Sequence, residues 1–143
     1  MIITKETDYA LRILRVLLDG EKHSVAEMSE TELIPNQFAY QILRKLSAGN
    51  LVQVSRGALG GCALSCDLDA TSLYDLMGVM GERGVLCACM EPGFECRWQD
   101  EHGQCAIHCQ LAALQRKQDE AFRAVSLRRL LTGKSDPQDT SEL

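Results

Sequence analysis

Apolar residues fall along this chain with two distinct periods, and each change of period marks an element. Between Lys5 and Leu18, the residues Tyr9, Ala10, Ile13, Leu14, Val16, Leu17 and Leu18 recur at helical steps, and Asp19-Gly20 supplies a stop. Ser24-Val-Ala-Glu27 has the form of a capping box, in which serine and glutamate each satisfy a backbone donor of the first turn. Val25 and Met28 of that second helix point inward, and it ends near Thr31. A third helix is predicted from Pro35 to Ala48, because the missing proline N–H would have no partner in a first turn anyway. Its inner face reads as Phe38, Ile42, Leu43 and Leu46. After Gly49-Asn50 the pattern shortens to two strand-like runs, Leu51 to Ser55 and Cys62 to Ser65. Arg56-Gly-Ala-Leu-Gly-Gly61 joins them, and three glycines in six residues suit a tight hairpin.

Helical spacing returns from Ala70 to Met80, capped by Thr71 or Ser72, with Leu73, Leu76, Met77 and Met80 toward a core. Gly81-Glu-Arg-Gly84 ends it. From about Ile107 to Leu131 the positions Ile107, Leu111, Leu114, Gln118, Ala121, Val125 and Arg128 alternate steps of four and three. Such a seam suits one long helix, roughly 37 Å at about 1.5 Å per residue, pairing with a partner helix. The expected organisation is mainly α. A winged helix-turn-helix domain of three helices and a two-stranded wing spans 1–66, and a connecting helix 67–86. A cysteine-rich loop follows at 87–109, then a dimerisation helix at 107–131 and a disordered acidic tail at 132–143.

The outer face of the third helix changes the picture from fold to function. Asn36, Gln37, Tyr40, Gln41, Arg44 and Lys45 lie there. Amides can pair with the edge of adenine, and arginine or lysine with guanine or phosphate. Ser55 and Arg56 at the base of the hairpin can meet phosphate or enter a minor groove. A plain solvated face is the competing reading for the helix alone; the wing beside it favours double-stranded DNA. The net charge of −5 neither demands nor forbids this, since residues 1–62 carry seven Lys or Arg against seven Asp or Glu. The excess acid belongs to residues 63–143, with eight against thirteen. At 143 residues and 45 % hydrophobic content, with no apolar run near the roughly 20 residues that span a bilayer, the chain is expected to be cytoplasmic and free of membrane contact. Enzyme readings find no support, for there is no nucleotide-binding glycine pattern and no nucleophile with a positioned base.

Cysteines supply the remaining chemistry. Five of seven fall between Cys87 and Cys109, where Cys89, Cys96, Cys105 and Cys109 are separated by six, eight and three residues. Thiolates are soft ligands that suit zinc, cuprous copper and iron-sulfur clusters, and a loop with glycine and proline can wrap several around one centre. The spacing lacks the doubled two-residue pattern of a zinc ribbon. An iron-sulfur cluster is therefore the leading reading, of two-iron or four-iron type. Structural zinc, a cysteine-oxidation switch and inert cysteines are the alternatives. Cys62 and Cys66 read as strand residues.

Three stretches resemble the Rrf2 family of bacterial transcription regulators, in particular its IscR-, NsrR- and RirA-like members. They are Thr4-Lys5-Glu6-Thr7-Asp8-Tyr9-Ala10-Leu11-Arg12, the run from Ile34 to Leu46, and Ser55-Arg-Gly-Ala-Leu-Gly-Gly61. The resemblance covers roughly residues 1–130 and implies a homodimeric regulator, expected to be a repressor, whose wing and third helix bind a palindromic operator. It also implies a cysteine-liganded cluster that sets operator affinity in response to iron, redox state or nitric oxide. Cys105-Ala-Ile-His108 is similar to the IscR-like pattern and Cys109-Gln-Leu to the NsrR- and RirA-like one. The ligand pool is accordingly Cys89, Cys96, Cys105 and Cys109, with Cys87, His108 and Asp8 of the partner subunit behind them. The chain departs from the family in carrying Cys62 after the paired glycines and five loop cysteines where three are usual.

Overall fold

Thr4 starts the first helix, its hydroxyl oxygen accepting from the Glu6 N–H at 3.2 Å. The computed structural model describes residues 1–134. Its elements are α1 (Lys5–Val16), a 3₁₀ turn (Leu17–Asp19), α2 (Val25–Glu32), α3 (Asn36–Ala48), β1 (Val52–Ser55), β2 (Gly61–Leu64) and α4 (Leu73–Met80). A second 3₁₀ turn (Ala88–Met90), α5 (Arg97–His102), α6 (Ala106–Arg123) and α7 (Leu127–Thr132) follow. The acidic tail read from the sequence lies, from residue 135 onward, outside the described residues.

One core holds the first two-thirds of the chain together. Ala10, Ile13, Leu14 and Leu17 form the fully buried stripe of α1 and its turn, facing Met28 of α2, Ala39, Ile42 and Leu46 of α3, and Leu76 and Met80 of α4. Each large apolar side chain so buried stabilises the fold by about 1.5–3 kcal/mol. Between α2 and α3, Leu33 takes the left-handed conformation that ends a helix (φ 55°), and Ile34 dips into the core. That turn sets α3 across α2 with its polar side outward.

The wing is antiparallel, with Val52 opposite Leu64 and Val54 opposite Cys62. Its turn closes through Gly60 N–H to Gly57 O at 2.9 Å. A Cβ on Gly60 would stand 2.5 Å from the Ser55 carbonyl oxygen, so only glycine permits so tight a return. The far edge of β2 pairs with residue 23: His23 N–H donates to Cys62 O at 2.9 Å and Cys62 N–H to His23 O at 2.8 Å. The wing is thereby fastened to the segment that starts α2.

Four sequence expectations are corrected here. Phe38 is not an inner residue: it is 44 % exposed, and Ala39 with Ile42, Leu43 and Leu46 forms the buried face. That i, i+3, i+4, i+7 stripe puts Phe38 at its margin, where its ring sits 6.2 Å from Tyr9. The box at Ser24 is half made, since Ser24 Oγ accepts from the Glu27 N–H while the Glu27 carboxylate turns to His23 Nδ1 at 2.9 Å. The reciprocal box stands instead at Ser72 and Asp75 on α4. The cysteine segment is not all loop, because Arg97–His102 forms α5. Finally, the long helix of 107–131 is two. The 18 residues of α6 span roughly 27 Å, after which the chain leaves the helix to pair with 71–73. Leu73 N–H donates to Val125 O at 2.9 Å and Leu127 N–H to Thr71 O at 2.8 Å, which drives Leu127 fully into the core and lets Ser126 cap α7.

Candidate nucleic-acid interface and cysteine centre

The candidate recognition face is that of α3 and the wing. Asn36, Gln37, Tyr40, Gln41 and Arg44 are all exposed on one side of α3. Arg44 has no ion-pair partner among the described residues. Lys45 is placed differently: half-buried, its Nζ holds the Glu6 carboxylate of α1 and donates to Met80 O at 3.4 Å. Arg56 is exposed at the hairpin, whereas the Ser55 hydroxyl donates across it to Gly61 O at 3.3 Å. α3 and the hairpin thus expose amides, a phenol and two guanidinium groups that have no ion-pair partner among the described residues, groups of the kind that can read base edges and phosphates.

Two of the loop cysteines, Cys87 and Cys89, come together beside His108 in the first turn of α6. Cys89 is the hub: its Sγ lies 3.5 Å from Cys87 Sγ and 3.3 Å from His108 Nδ1. Hydrogen bonds from the Cys89 backbone and thiol hold the Cys87 pKa below the ordinary thiol value. The Cys89 thiol is pushed up, first by its bond to Cys87, then by burial and by the charges of Cys87, Cys105 and Cys96. Those four sulfurs therefore share one electrostatic neighbourhood. Cys109, one turn along α6 from Cys105, accepts from Gln104 Nε2 at 3.2 Å. Asp8 lies on α1, paired with Arg12 at 2.9 Å. Among the described residues no three His, Cys, Asp or Glu side chains stand close enough to enclose a metal ion as placed. The donors fit a cluster in kind, being soft thiols and an imidazole at the partly exposed start of a helix. Phe94 and Trp98 do not roof them, at 48 % and 50 % exposed; Trp98 stacks on His102 with ring centroids 4.7 Å apart.

Cys62 and Cys66 stand apart from this group. Cys62 is 1 % exposed in the core, and burial lifts its pKa to about 11, so its thiol is inert at neutral pH. Burial likewise raises Cys66.

Three residues that link the two regions escaped sequence reasoning. Glu82, in the four residues after α4, accepts the hydroxyls of Thr4 and Thr7 at the start of α1. Tyr74 is sandwiched between Arg83 and Arg123, whose guanidinium carbons lie 4.0 and 3.9 Å from its ring centroid. Gly78 makes room for this, since a Cβ there would stand 2.5 Å from the Arg83 guanidinium. Gln115 of α6 accepts from Leu86 N–H at 2.8 Å and donates to Gly84 O at 3.5 Å. The linker into the cysteine segment is thus held by α1, α4 and α6 at once. The available signal was Glu82-Arg83 flanked by glycines, between a DNA-reading part and a cysteine-rich part.

No helix among the described residues is long and apolar enough to cross a membrane. Comparison with known proteins agrees with the architecture. CymR (YrzC), the global cysteine regulator of B. subtilis, superposes with a TM-score of 0.65 at 20 % identity, covering 93 % of this chain and 98 % of that one. IscR of T. potens gives 0.67 at 15 % identity, covering 98 % and 93 %. At those identities the likeness speaks for the winged-helix fold alone. In sequence, Protein aau3 of Rhizobium meliloti (strain 1021) is 31 % identical over 125 residues, 85 % of this chain and 77 % of that protein. The family model Rrf2, described as an iron-dependent transcriptional regulator, matches residues 3–133. With that match over nearly the whole length, this chain belongs to the Rrf2 family of DNA-binding transcriptional regulators and is not an enzyme.

Proposed function

We propose that this chain is a homodimeric repressor whose operator affinity is set by an iron-sulfur cluster held at Cys89, Cys96 and Cys105, with His108 as fourth ligand. The observation that carries the reading is Cys89, whose sulfur sits 3.3 Å from His108 Nδ1 and shares its charge environment with Cys96 and Cys105. Cys109, whose sulfur accepts from Gln104 Nε2, stands as the reserve ligand of this set. Asp8 of the partner subunit is not needed while an imidazole is available in the same chain. A bound cluster would supply a centre reactive toward oxygen, nitric oxide and iron shortage.

The chain's own residues carry the consequence to DNA. Drawing Cys89 and Cys96 toward Cys105 and His108 fixes the segment 87–105 against the start of α6. Leu86 is already tied to Gln115 of α6, and Glu82 to Thr4 and Thr7 of α1. Glu6, in the same first turn of α1, holds Lys45 of α3. A change in the cysteine segment therefore reaches the recognition helix through three links: Leu86 to α6, Glu82 to α1, and Glu6 to Lys45. No residue of α6 is buried, with Ile107 71 % and Leu114 53 % exposed, so the helix presents a face suited to a second copy. Pairing there would set the separation of two recognition helices, which must lie about one DNA turn, roughly 34 Å, apart to enter successive major grooves.

Anaerobic purification with iron, acid-labile sulfide and zinc counted on one sample tests the cluster. A brown protein with matching iron and sulfide supports it, and the ratio per chain separates two-iron from four-iron forms. A colourless protein with one zinc per chain would replace it with a structural zinc site.

A further inference from the structure

The sulfur contact at Cys87 has no role in that ligand set. We infer that Cys87 and Cys89 form an oxidisable dithiol, a modification site whose intramolecular disulfide takes Cys89 away from the cluster ligands. The competition with ligation rests on the cluster reading; the dithiol chemistry does not.

Three features support it. The two sulfurs are 3.5 Å apart, with Cys89 as donor and Cys87 as acceptor, so Cys87 presents its lone pair and Cys89 its proton. A disulfide requires a further approach of about 1.5 Å, to about 2.05 Å, within reach of side-chain rotation. Cys87 is extended (φ −143°) and Ala88–Met90 is a 3₁₀ turn, a bend that turns both side chains to one side. Both thiols are half-exposed, open to a small oxidant. Beside these three, His108 Nδ1 lies 3.3 Å from Cys89 Sγ, within reach of the proton that Cys89 must lose.

With hydrogen peroxide as oxidant the step balances. Cys87 sulfur attacks the peroxide oxygen, the O–O bond breaks, and water leaves a sulfenic acid on Cys87. Cys89 sulfur then attacks that sulfur, its proton passing through His108 to the departing hydroxide; the S–O bond breaks, a second water departs and the S–S bond forms. Two electrons have moved from two thiols to one peroxide. A disulfide spanning a single intervening residue closes a small ring and is readily reduced, which makes the modification reversible by cellular dithiols.

Mass spectrometry on the full chain decides it. Protein purified without oxygen is divided, one part left with its iron and the other chelated; both are treated with hydrogen peroxide, alkylated and cleaved after glutamate. Cleavage after Glu82 and Glu95, the Glu91–Pro92 bond being resistant, isolates a peptide whose thiols are Cys87 and Cys89. In the chelated sample this peptide is expected to lose about 2 Da and resist alkylation, with Cys96, Cys105 and Cys109 still alkylated. In the iron-bearing sample it stays reduced. The oxidised chain takes up iron and sulfide only after a dithiol reductant is added, and Cys87→Ser forms no such disulfide yet keeps its iron. Joining of Cys89 to Cys96, Cys105 or Cys109, or a peptide alkylated at both positions, overturns the dithiol. Loss of iron in Cys87→Ser, or equal iron uptake before and after oxidation, overturns the competition. If the isolated protein carries no iron, the cluster reading and the competition fall together, while the mass shift still decides the dithiol.

Discussion

Arg44 and Lys45 are adjacent on α3 and of equal charge, yet only one is unpaired, so substituting each separately tests whether this face reads DNA. Arg44 is exposed and has no ion-pair partner among the described residues. A guanidinium placed bidentately on a guanine edge is worth about 1–3 kcal/mol, so Arg44→Ala should weaken binding roughly fivefold to 150-fold. If Arg44 meets phosphate instead, the salt slope should fall by about 0.9 with a similar loss on every sequence. Lys45 must first leave Glu6 and the Met80 carbonyl. With both partners of the pair about 40 % exposed, that contact is worth no more than about 1 kcal/mol, and it offsets most of what a phosphate contact returns. Lys45→Ala is therefore expected to cost less than about fivefold, and Glu6→Gln, which frees Lys45, to tighten binding by up to about fivefold. Fluorescence anisotropy across a salt series, on a duplex selected from a random pool by the wild-type protein, measures all three. A larger loss for Lys45→Ala than for Arg44→Ala, or weaker binding by Glu6→Gln, would refute the assignment of the face.

Four further outcomes follow from contacts elsewhere. Glu82→Ala leaves the fully buried Thr7 hydroxyl without its acceptor, so thermal denaturation should show a loss of about 1–3 kcal/mol and DNA affinity should cease to depend on iron; unchanged coupling would remove Glu82 from the path. His23 sits between Asp19 and Glu27, and those hydrogen bonds raise its pKa above 6.5. The protonated form is favoured in the folded state, so the stability it adds is complete below pH 6.5 and fades as pH rises through the folded value. The melting-temperature deficit of His23→Gln should accordingly be largest in mild acid and shrink by about pH 8, the reverse trend contradicting the ion-pair account. Cys62, with its pKa near 11 and 1 % exposure, should remain unalkylated in the native protein while the loop cysteines react. Leu127→Ala empties a core site and should cost about 2–5 kcal/mol, or roughly 5–15 °C in melting temperature; a smaller change would mean that α7 is not anchored there.

The helices and wing were legible because each carries a local signature strong enough to survive packing. Ile13, Leu14 and Leu17 repeat at helical steps, Pro35 and Ser72 sit where helices begin, and Gly57 to Gly61 turn the wing. The errors arose where tertiary contact overrides period. Helical spacing continues through Val125, yet backbone pairing of Val125 and Leu127 with the 71–73 segment breaks the helix and buries Leu127. Phe38 misled because size suggested core, whereas the phase set by Ile42 and Leu46 gave that place to Ala39. For the candidate site, the residue types on α3 could be read from the sequence, but not that Glu6 occupies Lys45, because that pairing joins residues 39 apart. The cysteine spacing marked a candidate soft-ligand site. It placed Cys109 ahead of His108, and the side-chain direction that separates these two neighbours on α6, about 100° apart around the helix, is not written in the spacing.

The most direct test of the central claim is the dissociation constant for the selected duplex, measured anaerobically at one salt concentration on a single preparation before and after iron removal. Coupling through the linker predicts that the two values differ by roughly fivefold to 150-fold, as about 1–3 kcal/mol of coupling between sites requires, and that the difference disappears in Cys89→Ala. Equal affinities with and without iron would contradict it, leaving an Rrf2 regulator whose cysteines do not govern its grip on DNA.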